Sequence, residues 1–281
     1  MSASTARALM GTVIVVGTPG RLADAAEALE QLGESTGVLA ILISEGKETA
    51  PTARVTDTSI TIKDLAPQFL NNAVAGLRLS SLPAVVWWRG GSIAALDDLA
   101  DLADRLVLDV ESPDEAWRRV DRYFDRTALT DLRWARLTRW RSALAHTFDL
   151  PQVREAVSAF ERLSIEATDT DAARLFAGWL RTRLRWTPAV KIEITRLDAR
   201  SGDDVTPMRR VTLDGANVWI SIDVKPESAC LAATVDGVDA SVRIVPLGDG
   251  TLASLIAEEL GVRTRDFAFE QAVTVAREIR V

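Results

Sequence analysis

The run Pro83-Ala84-Val85-Val86-Trp87-Trp88 constrains this chain more than any other segment. Six consecutive apolar residues leave no polar face for solvent, so the run reads as a strand covered on both sides. Val13–Val16, Val38–Ile43 and Arg105–Val110 read as short buried strands by the same reasoning. Between them lie segments of helical period. Residues 21–32 place Leu22, Ala25, Ala26, Leu29 and Leu32 on one side, and 64–79 do the same with Leu65, Phe69, Leu70, Val74 and Leu77. Arg54–Ile62 reads as a further strand, and Ser92 can cap a helix running to Ala103. Ser112-Pro113 opens another helix, cap first and Pro next. Strands alternating with helices predict an α/β domain over residues 1–128, with a mostly parallel sheet flanked by helices.

The texture then changes twice. Residues 129–187 read as an almost purely helical connecting segment, with caps at Thr130, at Thr138 and at Thr168 or Thr170. After Pro188 come Val190–Leu197, Arg209–Leu213, Val218–Val224, Cys230–Val235 and Ser241–Val245, each strand-like. Asp214-Gly215 and Asp236-Gly237 are hairpin signals. Thr251–Leu260 and Phe267–Ile279 return to helix. Residues 188–281 are therefore expected to form an α+β domain with an antiparallel meander.

Several function classes are weakened by composition. The formal net charge is −7, which argues against broad binding to nucleic acid or anionic membrane. No stretch approaches the roughly 20 apolar residues of a membrane span, and Met1–Gly11 lacks the apolar run of a secretory signal. With Cys230 the only cysteine, there is no internal disulfide. A soluble protein of the cytoplasm is the expectation. One Cys and one His rule out an ordinary Cys/His zinc site, so neither a metal nor a cofactor is expected.

No catalytic constellation emerges. Gly17-Thr18-Pro19-Gly20 follows a strand and precedes a helix, as a phosphate loop does, but it matches neither G-x-G-x-x-G nor G-x-x-x-x-G-K-[ST]. Pro19 also lacks the backbone donor such a cradle would use. Gly90-Gly91-Ser92 stands at the carboxyl end of a strand, where open α/β sheets bind ligands, and Arg89 beside it is expected at the surface. His146 has no nearby nucleophile or acid constellation and suits a solvated helix face. Cys230 suits the interior of an apolar strand. Asp97, Asp98, Asp101 and Asp104 suit a solvated outer face.

What stands out is Thr130–Arg141, T-D-L-R-W-A-R-L-T-R-W-R. It carries two of the 8 Trp in a chain with one Tyr. Trp and Arg dominate the energetics of protein interfaces, and guanidinium planes stack on indole faces. Residues 117–141 hold eight Arg against three Asp, a net +5, whereas 92–115 hold one Arg against eight acids, a net −7. On one straight helix over 131–148, Trp134, Leu137, Trp140, Leu144 and Phe148 share a face that also takes in Arg133 and Arg141. Arginines there need an internal acid, a snorkelling stem or a partner protein.

In these residues the chain resembles the OpcA family of glucose-6-phosphate dehydrogenase assembly proteins. Members carry a segment close to D-L-x-W-T-R-L-T-P-W-R after a strand of the form L-P-V-V-V-W-W. Here these are Asp131–Arg141 and Leu82–Trp88, and Ala177-Gly178-Trp179-Leu180 is similar to the family's A-x-W-L. Ala135 and Arg139 depart from the pattern, standing where the family tends to have Thr and Pro. A Pro after Thr138 would start a new helix, which favours a break there over one straight helix. The resemblance implies a non-enzymatic protein that binds glucose-6-phosphate dehydrogenase and promotes its active oligomer. Trp87, Trp88, Arg89, Trp134, Arg136, Trp140 and Arg141 are the candidate partner-binding residues, with Arg136 and Arg141 the better contacts if the indoles serve packing. The alternatives are a sugar-phosphate- or nucleotide-binding enzyme using the glycine turns, or a metabolite sensor.

Overall fold

The computed structural model describes residues 11–33, 37–46, 50–79, 81–187, 189–198, 206–225, 228–246, 250–262 and 264–281. The expectation for the first ten residues of the amino terminus and the boundary at Pro188 lie outside them. The chain divides into two compact units, one of Met1–Leu132 with Leu252–Asp266, the other of Arg133–Thr251 with Phe267–Val281.

The first unit is built on a seven-stranded sheet. Its strands are β1 (Gly11–Gly17), β2 (Val38–Glu45), β3 (Thr52–Val55), β4 (Ser59–Leu65), β5 (Ala84–Trp88), β6 (Arg105–Leu108) and β7 (Ala128–Asp131). Their order across the sheet is β3-β4-β2-β1-β5-β6-β7, parallel throughout except for β3. Leaving β3 aside, the winding runs outward from β1 to β4, returns to β5 beside β1, and runs outward again to β7. That is the doubly wound order of dinucleotide-binding sheets. Right-handed crossovers then place successive helices on opposite faces when the direction reverses. α1 (Ala23–Gly33) accordingly packs with α9 (Leu252–Gly261), and α2 (Leu70–Leu77) with α3 (Ile93–Leu99). Burial on both faces explains the unbroken apolar runs: Val13, Ile14, Val15 and Val16 are all 0 % exposed.

Arg54–Ile62, expected as one strand, is the β3–β4 hairpin. Thr56 and Ser59 close the turn through their hydroxyls, 2.8 Å apart. The helical expectation for 64–79 begins late, because Pro67–Phe69 forms a 3-10 turn before α2.

The second unit has a six-stranded sheet of β8 (Phe160–Ala167), β9 (Lys191–Arg196), β10 (Met208–Gly215), β11 (Val218–Lys225), β12 (Ser228–Val235) and β13 (Val238–Pro246), ordered β13-β12-β11-β10-β8-β9. β10 to β13 form the expected meander, and β8 and β9 pair in parallel through the crossover helix α8 (Thr170–Arg183). Helices α5 (Leu132–Arg136), α6 (Thr138–Phe148), α7 (Pro151–Glu155) and α10 (Phe267–Ala276) complete it, with α6 and α7 against β12 and α10 against α8.

The almost purely helical reading of 129–187 is thus corrected by β7 and β8. Thr130 is a strand residue, and the cap of α8 is Asp169, whose carboxylate accepts from the N–H groups of Asp171 and Ala172 at 3.0 Å each. Asp236 (φ 52°) and Gly237 (φ 74°) make the tight turn their sequence promised. The β10–β11 hairpin signalled by Asp214-Gly215 also forms, but it turns at Ala216-Asn217 and Gly215 ends the strand. A Cβ there would stand 2.2 Å from the Ala159 carbonyl oxygen, so close backbone approach is what demands glycine. α8 closes with Arg185 N–H on Thr182 O and Trp186 N–H on Arg181 O, a Schellman arrangement with Arg185 at φ 52° where glycine is usual. Among the described residues, no helix is long and apolar enough to cross a membrane.

Candidate functional site

In a doubly wound sheet the ligand crevice lies beyond the carboxyl ends of the strands where winding reverses, here β1 and β5. The first turn past β1 is Gly17–Gly20. Pro19–Arg21 forms a 3-10 turn, Thr18 makes no side-chain cap, and α1 begins only at Ala23. A helix N-terminus aimed at a phosphate is missing from this turn, and so is one of its N–H groups.

Arg89 follows β5 and fills the crevice from within. Expected at the surface, it is 5 % exposed. Its Nε donates to Asp109 Oδ2 at 2.8 Å, its Nη2 to Asp24 Oδ2 at 2.9 Å, and its Nη1 to the Arg21 carbonyl at 2.6 Å and to Asp24 Oδ1. Asp109 also accepts from Trp87 Nε1 at 3.1 Å, and the guanidinium sits 4.9 Å from the Trp87 ring centroid. Arg21 closes the network on the Asp109 carbonyl at 2.9 Å and on Glu111 at 3.1 Å. Burial penalises the Arg89 charge, but the hydrogen bonds and charges of Asp24 and Asp109 outweigh it and hold its pKa above the ordinary arginine value. Burial likewise acts to raise the Asp24 carboxyl, and Arg89 more than offsets this, leaving it below the usual range. A Cβ on Gly17 would meet the Arg89 Cβ at 3.2 Å, so the glycine makes room for this arginine.

The acid at the end of β2 is also committed internally. In dinucleotide sites an acid at this place holds a ribose hydroxyl. Glu45 Oε2 instead accepts from the Ser92 N–H at 2.8 Å, at the start of α3. Gly91 lets it pass, since a Cβ there would lie 2.3 Å from Glu45 Oε1. Burial raises the Glu45 pKa, with the Ser92 N–H opposing.

The Trp/Arg segment begins at a second buried acid. Asp131, 0 % exposed at the end of β7, accepts from Trp117 Nε1 at 3.0 Å. In the second unit, Arg133 reaches the α8 cap, with Nε 3.0 Å from Asp169 Oδ2, which supplies the internal acid a buried arginine needs. The helix breaks at Leu137, and α6 starts at Thr138. That break lets Arg141 fold back, its Cζ 3.4 Å from the Trp134 ring centroid and its Nη2 on the Trp134 carbonyl and Thr138 Oγ1 at 3.2 and 3.1 Å. Trp134 meets Phe269 at 5.8 Å, and Trp140 meets Phe176 at 6.3 Å.

Of the seven candidate partner-binding residues, Trp87, Trp88 and Arg89 are buried in the first unit, and Trp134 and Trp140 in the second. Arg136 and Arg141 are half-buried, and Arg139 between them is exposed. His146 is exposed on α6, its Nδ1 2.6 Å from the Ser142 carbonyl. Cys230 is half-buried. The acidic cluster is a staple: Asp97 takes Arg119 at 2.9 Å and the Tyr123 hydroxyl at 2.6 Å, Asp101 takes Arg126 at 2.6 Å, and Asp104 takes the Ala84 N–H at 2.8 Å. No group of three metal-ligating side chains occurs among the described residues. Sequence reasoning missed Asp24, Glu45 and Asp109. The signal for the last two was their place, one residue past or at the end of a buried strand.

A family model that describes the C-terminal domain of a glucose-6-phosphate dehydrogenase subunit matches residues 127–273. Two curated relatives, each named putative OxPP cycle protein OpcA, come from Synechocystis sp. and Nostoc punctiforme. The first is 29% identical over 128 residues, 42% of this chain and 27% of the relative. The second is 26% identical over 159 residues, 53% and 33%. The matches thus span no more than about a third of the length of these relatives. Among solved structures, the super-repressor mutant of Gal80p from Saccharomyces cerevisiae aligns with TM-score 0.52 and 8% identity over 90% of this chain and 83% of that one. The UDP-N-acetylglucosamine 3-dehydrogenase GnnA of Acidithiobacillus ferrooxidans aligns at TM-score 0.42 and 12% identity over 97% of both chains. The former likeness is one of fold.

Proposed function

The chain belongs to the family defined by this glucose-6-phosphate dehydrogenase-associated C-terminal domain, and on that premise we propose that it is a non-enzymatic assembly factor and activator of glucose-6-phosphate dehydrogenase, acting in the cytoplasm. The observation that carries this reading is the family match over 127–273, which contains the whole Trp/Arg segment. The non-catalytic half is supported by the crevice, where Arg89, Asp24, Asp109 and Glu45 are engaged internally at the place a dinucleotide would take.

An activator must bind the active state of its target more tightly than the inactive one. The buried indoles of Trp87 and Trp88 shape the first unit, and those of Trp134 and Trp140 shape the second. The contact surface is the arginine ridge of the second unit, Arg136, Arg139 and Arg141. Of these, Arg136 has a buried Nε with no acceptor among the described residues.

Mixing the purified chain with glucose-6-phosphate dehydrogenase of the same cells tests the proposal. A complex by size-exclusion chromatography with light scattering is expected, together with a larger enzyme oligomer and a higher rate. Arg136→Glu with Arg139→Glu should weaken the complex at least about tenfold, as for charged interface contacts. Absence of complex and of rate change at micromolar concentrations sinks the proposal. Because the crevice is filled, NADH and NADPH are expected to leave the thermal unfolding midpoint unchanged at millimolar concentration. A nucleotide-dependent rise would restore the enzyme reading.

A further inference from the structure

The second unit holds a cavity of ≈ 500 Å³ between the close of α8, the start of β8 and the start of β9. That is large enough for a small metabolite. Three cations line it, Arg162, Arg185 and Lys191, together with the carboxylates of Glu161 and Asp214 and the ring of Trp186.

Three features set this cavity apart from an ordinary surface dimple. Arg162 and Lys191 are register partners on the parallel strands β8 and β9, so two like charges stand directly opposite each other. Such pairs are unfavourable unless an anion offsets them. Asp214 stands opposite Arg162 on β10 and offsets part of this charge, while the Glu193 carboxylate approaches Arg162 only to 3.9 Å and is itself exposed, so a net positive charge remains at Lys191 and Arg185. Next, Arg185 occupies the left-handed position of the α8 close, at φ 52°. Glycine fills that position at lower cost, and an arginine there brings a guanidinium to the cavity. Last, Trp186 lines the cavity at 9 % exposure, and its indole N–H, closed off from solvent in this conformation, has no acceptor among the described residues. Buried donors are normally paired.

The lining selects a class of ligand. Three cations call for an anionic group, and the guanidinium forks suit phosphate. Glu161 and Asp214 would repel a bare anion, but they accept from hydroxyls. Trp186, packed on Phe160 at 6.3 Å between ring centroids, adds apolar wall against which the C–H groups of a sugar ring can lie. We propose that this cavity binds a phosphorylated sugar. The inference stands apart from the partner reading, because it concerns the chain alone and is measured without the dehydrogenase.

The test is isothermal titration of the whole chain with glucose 6-phosphate, inorganic phosphate and glucose in turn. Saturable binding of glucose 6-phosphate is expected, at least about tenfold tighter than that of either fragment. Arg185→Gly and Lys191→Ala should each weaken it by about tenfold or more. Arg185→Gly relieves the left-handed backbone, so its unfolding midpoint should not fall below that of the parent, which separates loss of ligand from loss of fold. The proposal is overturned if glucose 6-phosphate gives no saturable heat. It is overturned equally if inorganic phosphate alone binds as tightly, or if both variants bind as the parent does.

Discussion

Arg89 is a charge held where water barely reaches, and its worth lies in what its removal would strand. Arg89→Ala would leave Asp109, 7 % exposed, without its principal cation. Breaking a buried pair from one side costs about 3 kcal/mol or more, whereas Asp24, half exposed to water, contributes little of that. Arg89→Lys should recover only part, because an ammonium cannot reach Asp109, Asp24 and the Arg21 carbonyl at once. Urea denaturation of the three proteins checks both statements. Glu45 gives a prediction in pH. Its folded pKa lies above the ordinary carboxylate value because of burial, so the folded state holds the proton more tightly than the unfolded chain. Stability from this group is greatest below the unfolded pKa and is lost as pH rises through the raised folded value. Glu45→Gln keeps an acceptor for the Ser92 N–H and cannot ionise. It should flatten that part of the stability profile just above the ordinary carboxylate range, and melts of both proteins across that range would show it. An unchanged slope would mean Glu45 is not the titrating group.

At the scale of elements, helix approach is set by a missing side chain. A Cβ on Gly178 would lie 2.3 Å from the Ala272 carbonyl oxygen, so α8 and α10 come together across a glycine. Gly178→Ala should destabilise by about 1–3 kcal/mol through overpacking, despite alanine's better helix propensity. At the end of the same helix the opposite sign is expected. Arg185→Gly removes a left-handed arginine and should stabilise by up to about 1 kcal/mol. Both are read from chemical denaturation midpoints. These elements also show where sequence was informative. Val13–Val16 and Ala84–Trp88 were legible because burial on both faces leaves an uninterrupted apolar record. The break before Thr138 was legible from the place of Arg139 in the family pattern, although the cap of α6 is Leu137 and Thr138 makes no side-chain cap. β7 was not, since four residues ending in Thr130-Asp131 look like a helix cap, and strand pairing with β6 overrides that local preference. β8 carries alternating Leu163, Ile165 and Ala167, but its partner β10 lies some forty residues further on, beyond any local window. The crevice network was hidden for a similar reason. Arg89, Asp24 and Asp109 are far apart in sequence and meet only because β1, β5 and β6 are neighbours.

For the molecule as a whole, the two units carry different records. The first keeps the winding of a dinucleotide-binding sheet, and the second presents a meander with helices on one side. Most of the segment matched by the family lies in the second unit, together with β7 and α9 of the first. A doubly wound sheet that lodges a cofactor often waits on that cofactor to reach full stability. Here an internal guanidinium, that of Arg89, ties the ends of β1, β5 and β6 together through Asp24, Asp109 and the Arg21 carbonyl. On the non-enzymatic reading proposed above, maturation of this unit needs no supply of nucleotide, and the amount of folded protein is uncoupled from the cell's pyridine nucleotide pool.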